Sequence, residues 1–225
     1  MTVLAAQEAY RRWAPTYDAE NALTMLECEL ADRLSPSPWR KRLLDVGCGT
    51  GRRLADTGAA SAVGVEPCAE MLAAGEGIRA FGPEVRFVIG DARALPLPAA
   101  AFDLVWCRLM IGHVANCGSV YRELARVAAP GARIVVTDFH PVASAAGLRR
   151  TFRDGDEVLE VEHHRHRVAA QVAAAGRAGL RLVTADDATI GPSVRAYFER
   201  TGKQAIYHEH FGLPVVLGLL FARGG

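Results

Sequence analysis

Short apolar runs recur along this chain, separated by longer stretches rich in Ala, Leu, Glu and Arg. Five stand out: LLDVG (43–47), AVGVE (62–66), VRFVIGD (85–91), FDLVWC (102–107) and RIVVTDF (133–139). Runs this short and this continuously apolar read as strands covered on both faces, since a solvated face would put a polar residue at every second position. The stretches between most of them have helical length. Their alternation predicts a doubly wound α/β fold, a mostly parallel sheet with helices on both faces. In such sheets ligands lie beyond the carboxyl ends of the strands. The residues that close these runs, Gly47, Glu66, Asp91, Cys107 and Asp138, are therefore predicted to form the rim of a site.

After the fifth run the pattern changes. RTFRDGDEVLEVEHH places Asp154 and Gly155 between two alternating stretches, which predicts a β-hairpin insertion. An Ala-rich helix near 167–178 follows, then LRLV (180–183), a helix over 193–201 and the apolar run LPVVLGLLFA, which together bring the sheet to seven strands. Residues 1–42 read as a helical lid carrying Tyr10, Trp13 and Tyr17. One domain over 1–225 is expected, with 43–141 as a cofactor-binding half and 142–225 as a substrate-side half.

Composition narrows the function. With 225 residues, 50% hydrophobic and 23% charged, the chain can bury one sizeable core. A formal net charge of +1 gives no global field for tracking nucleic acid, so a small-molecule partner is expected. The five cysteines form no Cys-x-x-Cys pair and are odd in number, which fits reduced thiols in a cytoplasm. Neither a secretory leader nor a membrane span is read, the longest apolar run falling short of the roughly 20 residues a bilayer needs.

The chemistry is concentrated in LLDVGCGTG, where an apolar strand runs into glycines at 47, 49 and 51. A backbone that approaches a ligand closely, with positive dihedrals, tolerates no side chain, so this turn locates a nucleotide-like cofactor. The dinucleotide fingerprint Gly-x-Gly-x-x-Gly would place its third glycine where this chain has Arg52. Glu66 stands where an acid can accept from both ribose hydroxyls of an adenosine, and Asp91 where one can accept from an adenine amine.

The ordered series DVGCGTG, GDARALP, FDLVWCRLMIGHV and LARVAAPGARIVVTDFHP resembles the Rossmann-like class I S-adenosylmethionine-dependent methyltransferases across residues 40–141. The opening YRRWAPTYD resembles the small-molecule subfamily that includes ubiquinone- and biotin-pathway enzymes. The resemblance implies S-adenosylmethionine as cofactor, held by Tyr17, Asp45, Gly47, Gly49, Gly51, Glu66, Met71, Asp91, Ala92 and Cys107. The chain departs from the family pattern in having Glu66 for the usual Asp, which keeps the acceptor role. It also has Cys68 for the usual Ser or Thr that caps the following helix.

A methyl group on a sulfonium is already activated, so positioning supplies most of the catalysis, on the order of 7–11 kcal/mol. A general base adds about two to four decades when the acceptor must lose a proton. His113 and His140 are the candidate bases, with Asp138 beside them. His163, His164 and His166 lack a Cys or Asp at ligand spacing, so no metal is assigned. The expected reaction is methyl transfer to oxygen or nitrogen of a small acceptor, with carbon open. The basic cluster Arg149, Arg150, Arg153, Arg165 and Arg167 leaves room for an anionic acceptor. An NAD-linked oxidoreductase and a non-catalytic binding module stay as alternatives, and monomer or homodimer is left open.

Overall fold

The computed structural model describes residues 1–224. In chain order the elements are β1 (Val3–Leu4), α1 (Ala6–Trp13), α2 (Ala22–Leu34), β2 (Arg42–Val46), β3 (Ser61–Glu66), α3 (Ala69–Ile78) and β4 (Val85–Ile89). Then follow β5 (Phe102–Arg108), α4 (Cys117–Val127), β6 (Ala128–Phe139), α5 (Pro141–Ala145), β7 (Thr151–Asp154) and β8 (Glu157–Val161). The chain closes with α6 (Val168–Arg177), β9 (Leu180–Thr189), α7 (Arg195–Arg200), α8 (Gln204–Glu209) and β10 (Pro214–Arg223).

Seven strands form the main sheet in the order β4-β3-β2-β5-β6-β10-β9. The first five are parallel, and β10 enters antiparallel between β6 and β9. From β2 the order runs one way to β3 and β4 and then the other way to β5 and β6, so a crevice opens where β2 and β5 end. Covering on both faces explains the apolar runs of β2, β3, β5 and β6, whereas β4, at the sheet edge, has no buried residue despite its apolar sequence. Leu43, Leu104 and Val135 pack with Leu26 and Leu30 of α2, while Leu44, Val105 and Ile134 pack with Val120 and Leu124 of α4.

The expected hairpin forms, with Phe152 opposite Leu159, but it stands outside the main sheet. It makes a separate three-stranded sheet because β1 adds to it in parallel, Val3 opposite Glu160. The expected lid over 1–42 divides in two. Trp13 of α1 stacks on Phe152 of the hairpin at 5.0 Å and the following turn crosses the crevice, whereas α2 is a sheet-covering helix against β6, β9 and β10. Leu26, Leu30 and Leu34 recur at helical spacing along α2 and are buried, which holds it on the sheet. The run read at 180–183 extends to Thr189 because β10 pairs with it along that length. Among the described residues no helix is long and apolar enough to cross a membrane.

A buried charge cluster joins α2 to the sheet. Glu27, fully buried, accepts from Arg108 Nε at 2.7 Å and Nη2 at 3.0 Å, from Arg53 Nη2 at 2.8 Å and from Thr137 Oγ1 at 2.8 Å. Burial pushes this carboxyl up, but Arg53, Arg108 and Thr137 outweigh it and hold the pKa at about 2. The ionised form is thus favoured in the folded state. Its contribution is complete above the ordinary carboxylate range and is lost only as pH falls toward about 2.

Two substitutions test this packing. Glu27→Ala leaves two guanidiniums buried without their anion and is expected to lower stability by about 3–5 kcal/mol in urea unfolding. Gly75 of α3 lies so close to the glycine turn that an added Cβ would sit 2.0 Å from the Thr50 carbonyl oxygen. Gly75→Ala is expected to cost about 1–3 kcal/mol through this overlap and to lower the melting temperature; an unchanged melting temperature would show that α3 does not press on the turn.

Candidate active site

The crevice is a cavity of about 370 Å³ at the carboxyl ends of the parallel strands. Its floor is the turn after β2, where Gly47 and Gly49 take φ of +73° and +60°. A Cβ on Gly49 would lie 3.2 Å from Met71 Cε and 3.4 Å from Tyr17 Cε1, so the turn is hemmed in from both sides. One wall comes from the segment after β3, with Glu66, Cys68 and Met71, and the next from residues 90–93 after β4. Tyr10 and Tyr17 close the cavity from the N-terminal segment.

Of the residues singled out in the sequence, Tyr17, Gly47, Gly49, Glu66, Met71, Asp91, Ala92 and His113 line this one cavity. Asp45, Gly51, Cys107 and His140 do not. Asp45 is fully buried beneath the turn, and neither carboxylate oxygen has a hydrogen-bond partner among the described residues. Burial raises its pKa to about 6 against the pull of Arg53 and Arg108. Gly51 backs onto Phe87, where a Cβ would approach the ring to 2.6 Å. Cys107 points into the core, because side chains alternate along β5 and it is Arg108 that reaches the cavity. His140 caps α5, its Nδ1 accepting from Val142 N at 3.1 Å while Nε2 lies 3.2 Å from Asp187. Pro141 starts that helix at once, which draws His140 away from the site.

Glu66 is poised between strand and turn. Its Oε2 accepts from Gly49 N at 3.0 Å and its Oε1 from Cys68 N at 3.1 Å. The latter bond serves the start of α3, where Cys68 gives no side-chain cap. Burial raises the Glu66 pKa to about 7, although both backbone N–H groups favour the ionised form. Asp91 is held ionised by Arg93, which donates to it at 2.5 Å.

Asp18, unmarked by the sequence reading, latches the N-terminal segment over the turn. It accepts from Thr50 Oγ1 at 2.8 Å and from Arg79 Nη2 at 2.6 Å. Its position directly after Tyr17, with a Thr inside the glycine turn, was the available signal.

At the far end of the cavity the groups change character. His113 Nδ1 lies 3.0 Å from the Glu162 carbonyl oxygen, which can only accept, so the ring proton belongs on Nδ1. Its Nε2 lone pair then faces the Tyr10 hydroxyl at 2.8 Å and Arg150 Nη1 at 3.3 Å. Arg150 also donates to Tyr10 Oη at 3.2 Å and to the Leu109 carbonyl at 3.0 Å. Burial, reinforced by the Arg150 charge, moves the His113 pKa well below the usual imidazole value. The ring is neutral, with a fixed tautomer and an accepting nitrogen.

The three neighbouring histidines disperse because β8 ends at Val161. His163 pairs with Asp138 at 3.2 Å, His164 lines the cavity, and His166 meets the Val114 carbonyl at 2.8 Å. Asp138 is further occupied by Gln171 Nε2 at 3.4 Å, and the pair lies behind the cavity rather than in it. Among the described residues no group of three His, Cys, Asp or Glu side chains could hold a metal ion.

Comparison with known proteins agrees with this geometry. Residues 44–136 match the family model described as "Methyltransferase domain". Malonyl-[acyl-carrier protein] O-methyltransferase of Enterobacter lignolyticus is 30% identical over 78% of this chain and 69% of its own length. The 27-O-demethylrifamycin SV methyltransferase of Amycolatopsis mediterranei is 36% identical over 63% of this chain, which spans only 53% of that relative. A crystal structure of an S-adenosylmethionine-dependent methyltransferase from Mesorhizobium loti superposes with a TM-score of 0.69 at 20% identity, covering 88% of this chain and 98% of the other. Motif series, strand order and relatives converge: the chain belongs to the class I S-adenosylmethionine-dependent methyltransferases.

Proposed function

We propose that this protein transfers a methyl group from S-adenosylmethionine to an oxygen or nitrogen atom of a small organic acceptor. The observation that carries this reading is a single cavity with a glycine cradle and Glu66 at one end and an accepting imidazole nitrogen at the other. The residues present fit the cofactor. The side-chain-free approach at Gly47 and Gly49 suits its amino-acid portion, Glu66 its ribose hydroxyls, and Asp91 with the Ala92 backbone its adenine. Bound there, the cofactor would supply a methyl group on a sulfonium, whose departing thioether needs no proton.

The protein's own part is to bind, orient and exclude water. Tyr10 and Tyr17 cover the cavity from the segment latched by Asp18. His113 Nε2 takes the proton that an O–H or N–H acceptor gives up, with the acceptor replacing Tyr10 as the hydrogen-bond donor. Burial, reinforced by Arg150, keeps the ring neutral in the free protein and so available as a base. Among the relatives, one is an O-methyltransferase by name and another an N-methyltransferase, which supports a fold open to either atom.

Calorimetry with S-adenosylhomocysteine tests the cofactor end. Binding is expected, and Glu66→Gln should weaken it about 10- to 100-fold, the loss of a hydrogen bond to a charged group. The ribose hydroxyls donate to the ionised carboxylate, so wild-type affinity should rise as pH climbs through about 7 and then level off. The Gln variant should show no such rise. Absence of any binding would contradict the assignment. Once an acceptor is found by screening, His113→Gln is expected to lower kcat by about 10²–10⁴-fold while leaving S-adenosylhomocysteine affinity unchanged.

A further inference from the structure

Behind His113 lies a second cavity of about 320 Å³, which the methyl-transfer site does not use. Its lining includes Ser144, Arg149, Arg150, His163 and Arg165, with Glu160 as the one carboxylate. Glu160 lies 3.5 Å from Arg149 and is the natural partner of that guanidinium. Of the other two guanidiniums, that of Arg165 is exposed and that of Arg150 is buried. Arg165 makes no ion pair among the described residues, and the contacts of Arg150 are the Leu109 carbonyl, His113 and the Tyr10 hydroxyl, all of them neutral. Arg150 is only 6% exposed, and a guanidinium so deeply buried without an anion is costly unless a ligand provides one. Guanidinium forks match the two oxygens of a carboxylate or phosphate, which makes that ligand class the complementary one.

The wall between the two cavities is thin. Arg150 and His163 line the second cavity and both meet His113, which lines the first; the rings of His113 and His163 have centroids 5.6 Å apart. Gly112 allows this, since a Cβ there would fall 1.9 Å from His163 Nε2. An anion beside Arg150 would therefore sit one side chain away from the proposed base.

We propose that the second cavity binds a small oxyanion, a carboxylate or a phosphate, and that this group is the acidic end of the methyl acceptor. The second half of the proposal rests on the methyl-transfer reading. The inference narrows the acceptor to a molecule carrying its nucleophile and an acid a short distance apart, with Arg150 serving both ends.

The test is a titration of inorganic phosphate, and separately of malonate, into the protein saturated with S-adenosylhomocysteine, followed by backbone amide shifts and calorimetry. Binding is expected to shift amides in 144–150 and 160–165. Arg165→Glu should weaken it about tenfold or more, while the melting temperature and S-adenosylhomocysteine affinity hold. No binding of either anion, or binding indifferent to Arg165→Glu, overturns the proposal. Normal S-adenosylhomocysteine binding in the same samples confines that failure to the second cavity, whereas its loss would strike the methyl-transfer reading instead. With an active acceptor in hand, competitive inhibition by phosphate supports the acidic end as the occupant. Inhibition independent of acceptor concentration would assign the cavity to a free anion and overturn that half.

Discussion

A turn whose backbone is left-handed at Gly47, Gly49 and Gly51 must lie flush at the end of the sheet, and much of the surrounding structure holds it there. Four different elements grip it. Glu66 ties β3 to Gly49 N, Asp18 ties the N-terminal segment to Thr50, Arg53 is drawn down onto Glu27 of α2, and Gly75 lets α3 come up against the Thr50 carbonyl. A turn pinned from four sides loses little further entropy when a ligand settles on it, which is how preorganisation becomes affinity. Three of the grips are polar, so each of those is strong only while its partner is present, and the fourth is close packing at Gly75.

The two ends of the cavity are tuned in opposite senses by burial. Glu66 is pushed up toward neutrality by burial, with two backbone N–H groups resisting, while His113 is pushed down and kept neutral by burial and Arg150. One end can therefore grip hydroxyls as a carboxylate once ionised, and the other can accept a proton. Arg150, which adds to the effect of burial on His113, also lines the second cavity, so the proposed base and that cavity share one guanidinium.

What the sequence made legible was local and periodic. Four of the five parallel strands announced themselves because burial on both faces removes polar residues from them, the edge strand β4 having no buried residue, and the glycine turn because positive φ at Gly47 and Gly49 admits little else. What it hid was non-local or a matter of side-chain parity. Cys107 and Arg108 adjoin at the end of β5, and pairing register rather than composition decides that Arg108 faces the cavity. His140 follows a rim strand like a catalytic residue, but the helix begun by Pro141 turns it into a cap. The partnership of Glu27 with Arg53, Arg108 and Thr137 spans four separate parts of the chain, and β1 owes its existence to an edge offered by β8. No window of sequence contains either.

A crystal structure with S-adenosylhomocysteine bound shows directly whether the glycine turn and Glu66 hold the cofactor. The ribose hydroxyls are expected on the Glu66 carboxylate, the amino-acid portion along Gly47 and Gly49, and the sulfur directed toward His113. A ligand lodged elsewhere, or a Glu66 carboxylate making no contact with the sugar, would contradict this placement.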